Sequence, residues 1–153
     1  MMRDLASLHR DESGNAFVEM ALVFPILATL LLGTVDISRA YSNRLALEQA
    51  AQRTVELVQR INYTQAYKDA LKSDAEAAAG AGSTATVTDW LQCGTSATKL
   101  SYTGSCSAGQ ATQRFVQVSI TSNYTPLFAA TIFPNKNADG TVTITAKAGI
   151  RVQ

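Results

Sequence analysis

The chain has 153 residues, of which 16% are charged, and its formal net charge at pH 7 is +1. So weak a field does not attract nucleic acid or acidic substrates, and we therefore exclude nucleic-acid partners. The only histidine is His9, no glycine-rich phosphate loop opens a helix, and the acidic residues lack the spacing of metal ligands. We predict no enzyme activity, no catalytic residue, no metal, no cofactor and no small-molecule substrate.

The first predicted element is a membrane helix over residues 15–36. A polar leader, residues 1–14, precedes a run of twenty residues from Ala16 to Val35 whose only formal charge is Glu19. As a helix this run spans roughly 30 Å, the thickness of the hydrocarbon core of a bilayer. A secretory signal peptide includes its own apolar region, whereas the leader here ends before the apolar run begins. The alternative is a buried core helix of a soluble domain.

Two positions suggest that this segment does more than anchor the chain. Gly14 lies at the polar-to-apolar boundary, and Glu19 follows five residues later. A carboxylate inside a membrane helix costs roughly 2.5–3.5 kcal/mol and usually has a partner or a function. The alternative is a glutamate that snorkels to the headgroups. Pro25 removes one helix hydrogen bond, and we expect Asp36 at the outer interface in contact with water.

Residues 37–79 form the predicted helical stem, with a break near Asn62. Apolar residues recur at spacings of four, four and three, as an amphipathic helix requires. They are Leu47, Ala51, Val55 and Val58. We expect this stripe to pack on a C-terminal sheet, the alternative being a surface for a partner helix.

Residues 80–153 form the predicted β domain. The segment 84–91 is β-prone, and the segments 116–121 and 142–152 alternate apolar and polar residues, which predicts antiparallel strands with one face on a core. Asp139-Gly140 supplies the turn into the last strand. We expect Trp90 to cover the edge of the core.

Two connections in this domain carry further predictions. Cys93 and Cys106 flank a loop rich in Gly, Ser and Thr, and a disulfide there contributes about 3 kcal/mol in an oxidising compartment. The alternative is two free thiols in the cytosol. The stretch 124–134 is apolar but contains two prolines, so we expect a loop that tucks under the sheet or offers a partner surface. The residues of that surface are Leu127, Phe128, Ile132 and Phe133.

The N-terminal third resembles the TadE-like minor pilins, or pseudopilins, of the tight-adherence (Flp) type IV pilus system. The matching residues are Val18-Glu19-Met20-Ala21-Leu22, Pro25, Gly33, Arg39-Ala40 and Ala50-Ala51. Met20 departs from the family, which usually has Phe or Tyr there. The resemblance implies a pilin-like α+β fold, in which a long N-terminal helix packs on a small antiparallel sheet.

The resemblance also implies a function in assembly. A prepilin peptidase would cut between Gly14 and Asn15, which makes Glu19 the fifth residue of the mature protein. The mature protein would prime or cap a pilus for surface attachment, with Glu19 and Pro25 acting in assembly. Its expected partners are the peptidase, other pilins, the pilus assembly platform and the lipid bilayer.

The cysteines and the resemblance place the C-terminal domain in the periplasm, on a single-pass protein of the bacterial inner membrane. The positive-inside rule does not decide the orientation, because arginines lie on both sides of the apolar run. The alternatives are an unprocessed periplasmic scaffold protein and, from another class, an enzyme tethered by a signal anchor.

Overall fold

The computed structural model describes residues 13–127, 133 and 135–152, with only the helical backbone for residues 13–16. The predicted leader therefore lies almost entirely outside the described residues. The chain divides into two compact units between Ser38 and Arg39. The elements are α1 (Ser13–Arg60), a short 3₁₀ turn (Gln65–Tyr67), α2 (Lys68–Ala79), β1 (Ser83–Cys93), β2 (Thr112–Tyr124) and β3 (Val142–Arg151).

The three strands form one antiparallel sheet in the order β1-β2-β3. The register places Val87 of β1 opposite Val118 of β2, and Val118 opposite Ala148 of β3. Each strand is therefore hydrogen-bonded to its neighbour in sequence, as expected when the connections are hairpin loops. The predicted α+β fold, with a long N-terminal helix and a small antiparallel sheet, is confirmed.

The core lies between the sheet and the part of α1 that belongs to the second unit. The central strand β2 contributes Val116, Val118 and Ile120, all with no exposed surface, and the predicted stripe of α1 is buried in the same cluster. Burial of each of these large side chains contributes about 1.5–3 kcal/mol. The prediction that the stripe packs on the sheet is confirmed.

The second helix, α2, closes the core beside β1. It buries Leu71 and Ala75, which lie four residues apart on one face. The Glu76 carboxylate accepts a hydrogen bond of 3.0 Å from the backbone N–H of Ala85, which joins the end of α2 to the start of β1. Gly80 then ends the helix with a φ of 91°, a conformation that glycine adopts without a steric penalty.

Two of the predictions are wrong. Trp90 does not cover the core, because the neighbouring residues of β1, Asp89 and Leu91, occupy the face that the helices cover. Its ring instead stacks on Phe115 of β2, on the opposite face of the sheet, with the centroids 5.5 Å apart. We expected the Asp36 carboxylate to be in contact with water, but Asp36 is fully buried.

The position of the core predicts a clear difference between the two faces of the sheet. Ile120→Ala removes a fully buried side chain and should lower the free energy of unfolding by about 2–5 kcal/mol. Thr86→Val, on the exposed face, should change it by less than about 0.5 kcal/mol. Chemical denaturation in detergent, followed by tryptophan fluorescence, measures both values. Equal losses would contradict the assignment of the core face.

Candidate functional site

The apolar half of α1 is exposed along most of its length. Phe17 is 82% exposed, and Met20, Leu22 and Leu31 are each 69% exposed. Within the described residues, α1 has the length and composition required to cross a membrane. A helix that is apolar on all sides and uncovered by protein is stable only in an apolar solvent. This half of α1 therefore fits a single membrane span.

Glu19 lies within this exposed apolar surface. It borders a shallow groove of about 290 Å³ that is otherwise lined by Met20, Val23, Phe24 and Leu27. Among the described residues, neither of the two ion pairs and none of the side-chain hydrogen bonds involves the Glu19 carboxylate. Residues 13–38 also contain no lysine or arginine. A cation for this carboxylate must therefore come from elsewhere.

The other polar groups of the segment are satisfied within the helix. Thr29 donates its hydroxyl to the carbonyl oxygen of Ile26, and Thr34 donates to that of Leu30, each at 2.8 Å. Such bonds suit an environment without water. The helix continues through Pro25, which cannot donate a backbone N–H to the carbonyl of Ala21. Within residues 17–35, Glu19 thus remains as the charged group.

The predicted processing residues, Gly14 and Asn15, lie in the first turn of α1. Their side chains are outside the described residues, so the structure adds nothing to the sequence argument for cleavage between them. Cleavage at this position stays a prediction.

The comparison with known families covers this part of the chain. Residues 14–56 match the family described as TadE-like protein. This segment, less than a third of the chain, is similar to that family. It begins at Gly14, includes Glu19 and Pro25, and ends at Glu56 within α1. No curated protein and no solved structure is significantly similar to the chain.

The second unit contains a polar cluster that the sequence did not reveal. Asp89 of β1 points toward the helices, and its side chain is only 3% exposed. Its carboxylate accepts a hydrogen bond of 2.8 Å from the Lys68 ammonium at the start of α2. Tyr63, in the turn after α1, donates its hydroxyl to the other carboxylate oxygen at 3.3 Å. The only sequence signal was an acidic residue at a core-facing position of a strand.

The charges of this cluster are coupled. Burial by itself raises the pKa of Asp89, but hydrogen bonds from Lys68 and Gln65 and the charge of Lys68 outweigh burial and bring it below its usual value. Burial, followed by the nearby Asp89 carboxylate, raises the pKa of Tyr63. Asp89 is therefore ionised and Tyr63 neutral at pH 7. The cluster connects the turn after α1, through Tyr63, and the start of α2, through Lys68, to β1. Its role is structural.

The two cysteines form the predicted disulfide, Cys93–Cys106. The loop between them folds back along β1, where Leu100 pairs with Leu91. It also places the ring of Tyr102 edge-on against Tyr63, with the centroids 5.4 Å apart. The bond thus holds the loop against the end of the core.

The predicted partner surface in the β2–β3 connection is only partly described. Leu127 is 54% exposed, and the ring of Phe133 lies 6.3 Å from that of the buried Tyr124. Phe128 and Ile132 lie outside the described residues. In the part of the chain that the structure describes, no group of three or more His, Cys, Asp or Glu side chains is placed to hold a metal ion.

The Asp89 cluster predicts a specific loss of stability. Asp89→Asn keeps the shape of the side chain but removes its charge, and it should lower the free energy of unfolding at pH 7 by about 1–3 kcal/mol. Because the folded pKa is lowered, this contribution is present above the unfolded pKa of about 3.9 and is lost as pH falls through the folded pKa.

Thermal unfolding between pH 3 and pH 7 tests this prediction. The difference between the original protein and Asp89→Asn should be constant near neutral pH and should shrink below about pH 4. Asp74→Asn, at an exposed position of α2, is the matched control and should unfold like the original protein. A difference that does not depend on pH would mean that the charge of Asp89 is not what stabilises the cluster.

Proposed function

We propose that this protein is a minor pilin, or pseudopilin, of the tight-adherence pilus. One observation carries the proposal: the TadE-like match includes the exposed apolar residues 17–35, which hold the Glu19 carboxylate and no lysine or arginine. Apolar residues alone are sufficient to anchor a helix in a membrane. A carboxylate is not needed for this purpose, and it makes insertion of the helix less favourable. Its presence is explained if the helix assembles with other helices that supply the missing charge.

Processing by a prepilin peptidase would supply that charge. Cleavage between Gly14 and Asn15 creates a new amine on Asn15, about one turn of helix before Glu19. In an assembled bundle, the amine of one subunit would lie beside the carboxylate of a neighbour that is displaced along the axis. The unprocessed chain lacks this cation, so processing would control entry into the assembly.

The environment decides how much this pairing contributes. Two opposite charges 4 Å apart attract by about 1 kcal/mol in water but by about 4 kcal/mol at an effective dielectric constant of 20. Between apolar helices, an unpaired carboxylate or amine is unfavourable by several kcal/mol. The pairing therefore favours one axial stagger between subunits and disfavours free sliding, as expected of a subunit that primes or caps a filament.

The second unit would then lie in the periplasm, on a protein with a single span in the bacterial inner membrane. The disulfide supports this location, because such bonds persist in oxidising compartments and are rare in the cytosol. Prepilin peptidase, other pilins and the assembly platform are the proposed partners.

The processing step is tested at Gly14. Gly14→Leu adds a side chain at the proposed cleavage site and should leave only the precursor, because the added side chain would obstruct entry of the chain into the peptidase cleft. Ser13→Ala is the matched control and should still be cut. Intact-mass measurement of protein from native membranes should find Asn15 at the N-terminus of the original chain. A mature N-terminus at Met1 or Met2 would instead indicate an unprocessed scaffold protein.

The assembly step is tested at Glu19. Glu19→Gln keeps the shape of the side chain but removes its charge, so insertion and folding should survive while co-purification with pilus components falls by about tenfold or more. Glu48→Gln is the matched control, because Glu48 forms an exposed ion pair with Arg44 in the same TadE-like segment. Unchanged co-purification and surface adhesion in Glu19→Gln would show that Glu19 takes no part in assembly.

A further inference from the structure

The two edge strands of the sheet differ in whether their outward backbone groups have hydrogen-bond partners. The edge of β1 is occupied: the N–H of Ala85 donates to Glu76, and Leu91 exchanges two backbone hydrogen bonds with Leu100, at 3.0 and 2.8 Å. The end of α2 and the disulfide loop therefore use outward backbone groups near both ends of β1. An edge covered in this way does not accept another strand.

The edge of β3 is open along its central part. The N–H of Val152 donates to the carbonyl of Arg114 in β2, and in an antiparallel pair every second residue points the same way. The intervening residues Thr145, Lys147 and Gly149 therefore direct their N–H and C=O groups away from the sheet. In the part of the chain that the structure describes, no backbone group faces these three from outside.

A groove lies between the end of α1 and the end of β3. Its lining is mixed, with the apolar residues Val58, Ile61, Ile150 and Val152 beside Gln59, Asn62, Tyr63, Tyr102 and Arg151. Its volume is about 340 Å³. Among the residues of β3 that face the helices, Ala146 is buried in the core, whereas Ile144, Ala148 and Ile150 are only partly buried, unlike the corresponding residues of β2. The apolar layer between helix and sheet is thus incomplete on the side of β3.

The opposite face of β3 is basic. Lys147 and Arg151 are exposed there, and no aspartate or glutamate among the described strand residues lies on that face of the sheet. A strand added beside β3 would place alternate side chains beside the partly buried apolar residues Ile144, Ala148 and Ile150 and beside this basic face. Apolar side chains suit the first position, and acidic side chains suit the second.

We propose that β3 binds an extended segment of another protein as a fourth strand, and that this segment alternates apolar with acidic residues. Backbone hydrogen bonds to Thr145, Lys147 and Gly149 would hold the strand, while the partly buried apolar face of β3 and Lys147 would select its sequence. A second copy of the chain is a poorer occupant, because pairing β3 with itself brings two Lys147 ammonium groups close together near its centre. The proposal depends neither on cleavage at Gly14 nor on Glu19.

The test uses the full chain in detergent and a fluorescent peptide in which valine and glutamate alternate. Fluorescence anisotropy should show saturable binding, and hydrogen exchange should slow at the amides of Thr145, Lys147 and Gly149. Thr145→Pro removes one outward N–H without touching the ladder to β2 and should weaken binding by about tenfold. The matched control, Thr145→Val, keeps that N–H and should bind like the original protein.

A charge reversal tests the choice of partner. Lys147→Glu should lose affinity for the valine–glutamate peptide and gain it for a peptide in which valine and lysine alternate. Absence of saturable binding, or equal binding by Thr145→Pro and the original protein, would overturn the proposal. Slow exchange at the same three amides without peptide, together with dimers in analytical ultracentrifugation, would overturn it in favour of a second copy.

Discussion

The packing of α1 on β2 is the constraint on which the rest of the second unit depends. Val58 of the helix and Val116, Val118 and Ile120 of the central strand have almost no exposed surface. Because β2 pairs with both other strands, its position against the helix also fixes theirs. Each remaining element then completes this layer: α2 covers the side of β1, and the Asp89 cluster and the disulfide loop close the end near Tyr63.

The first unit has no comparable core among its described residues. Its apolar residues are exposed, so a lipid environment must replace the core that the second unit builds for itself. The threonines in this segment satisfy their hydroxyls within the helix, but Glu19 cannot be satisfied in the same way. The segment itself leaves this charge uncompensated, and the charge lies within the part that matches the TadE-like family.

The unequal edges of the sheet connect the fold to its interactions. The edge of β1 is occupied by Glu76 and Leu100, so added strands are excluded there. The edge of β3 has no such cover in the part that the structure describes, and Lys147 at its centre disfavours pairing with a like-charged strand. A small sheet that protects one edge with its own loops retains the other for a partner of suitable charge.

The sequence by itself determined those features that depend on local period and length. Twenty apolar residues predict a span, the spacing from Leu47 to Val58 predicts the buried face of α1, and alternation from Val116 predicts a strand. Alternation does not say which face of a strand the helices will cover, and for this reason the prediction that Trp90 covers the edge of the core is wrong. The burial of Asp36, the pairing of Asp89 with Lys68 and the open edge of β3 were decided only by tertiary structure. The last two depend on groups from distant parts of the chain, whose meeting no local pattern encodes.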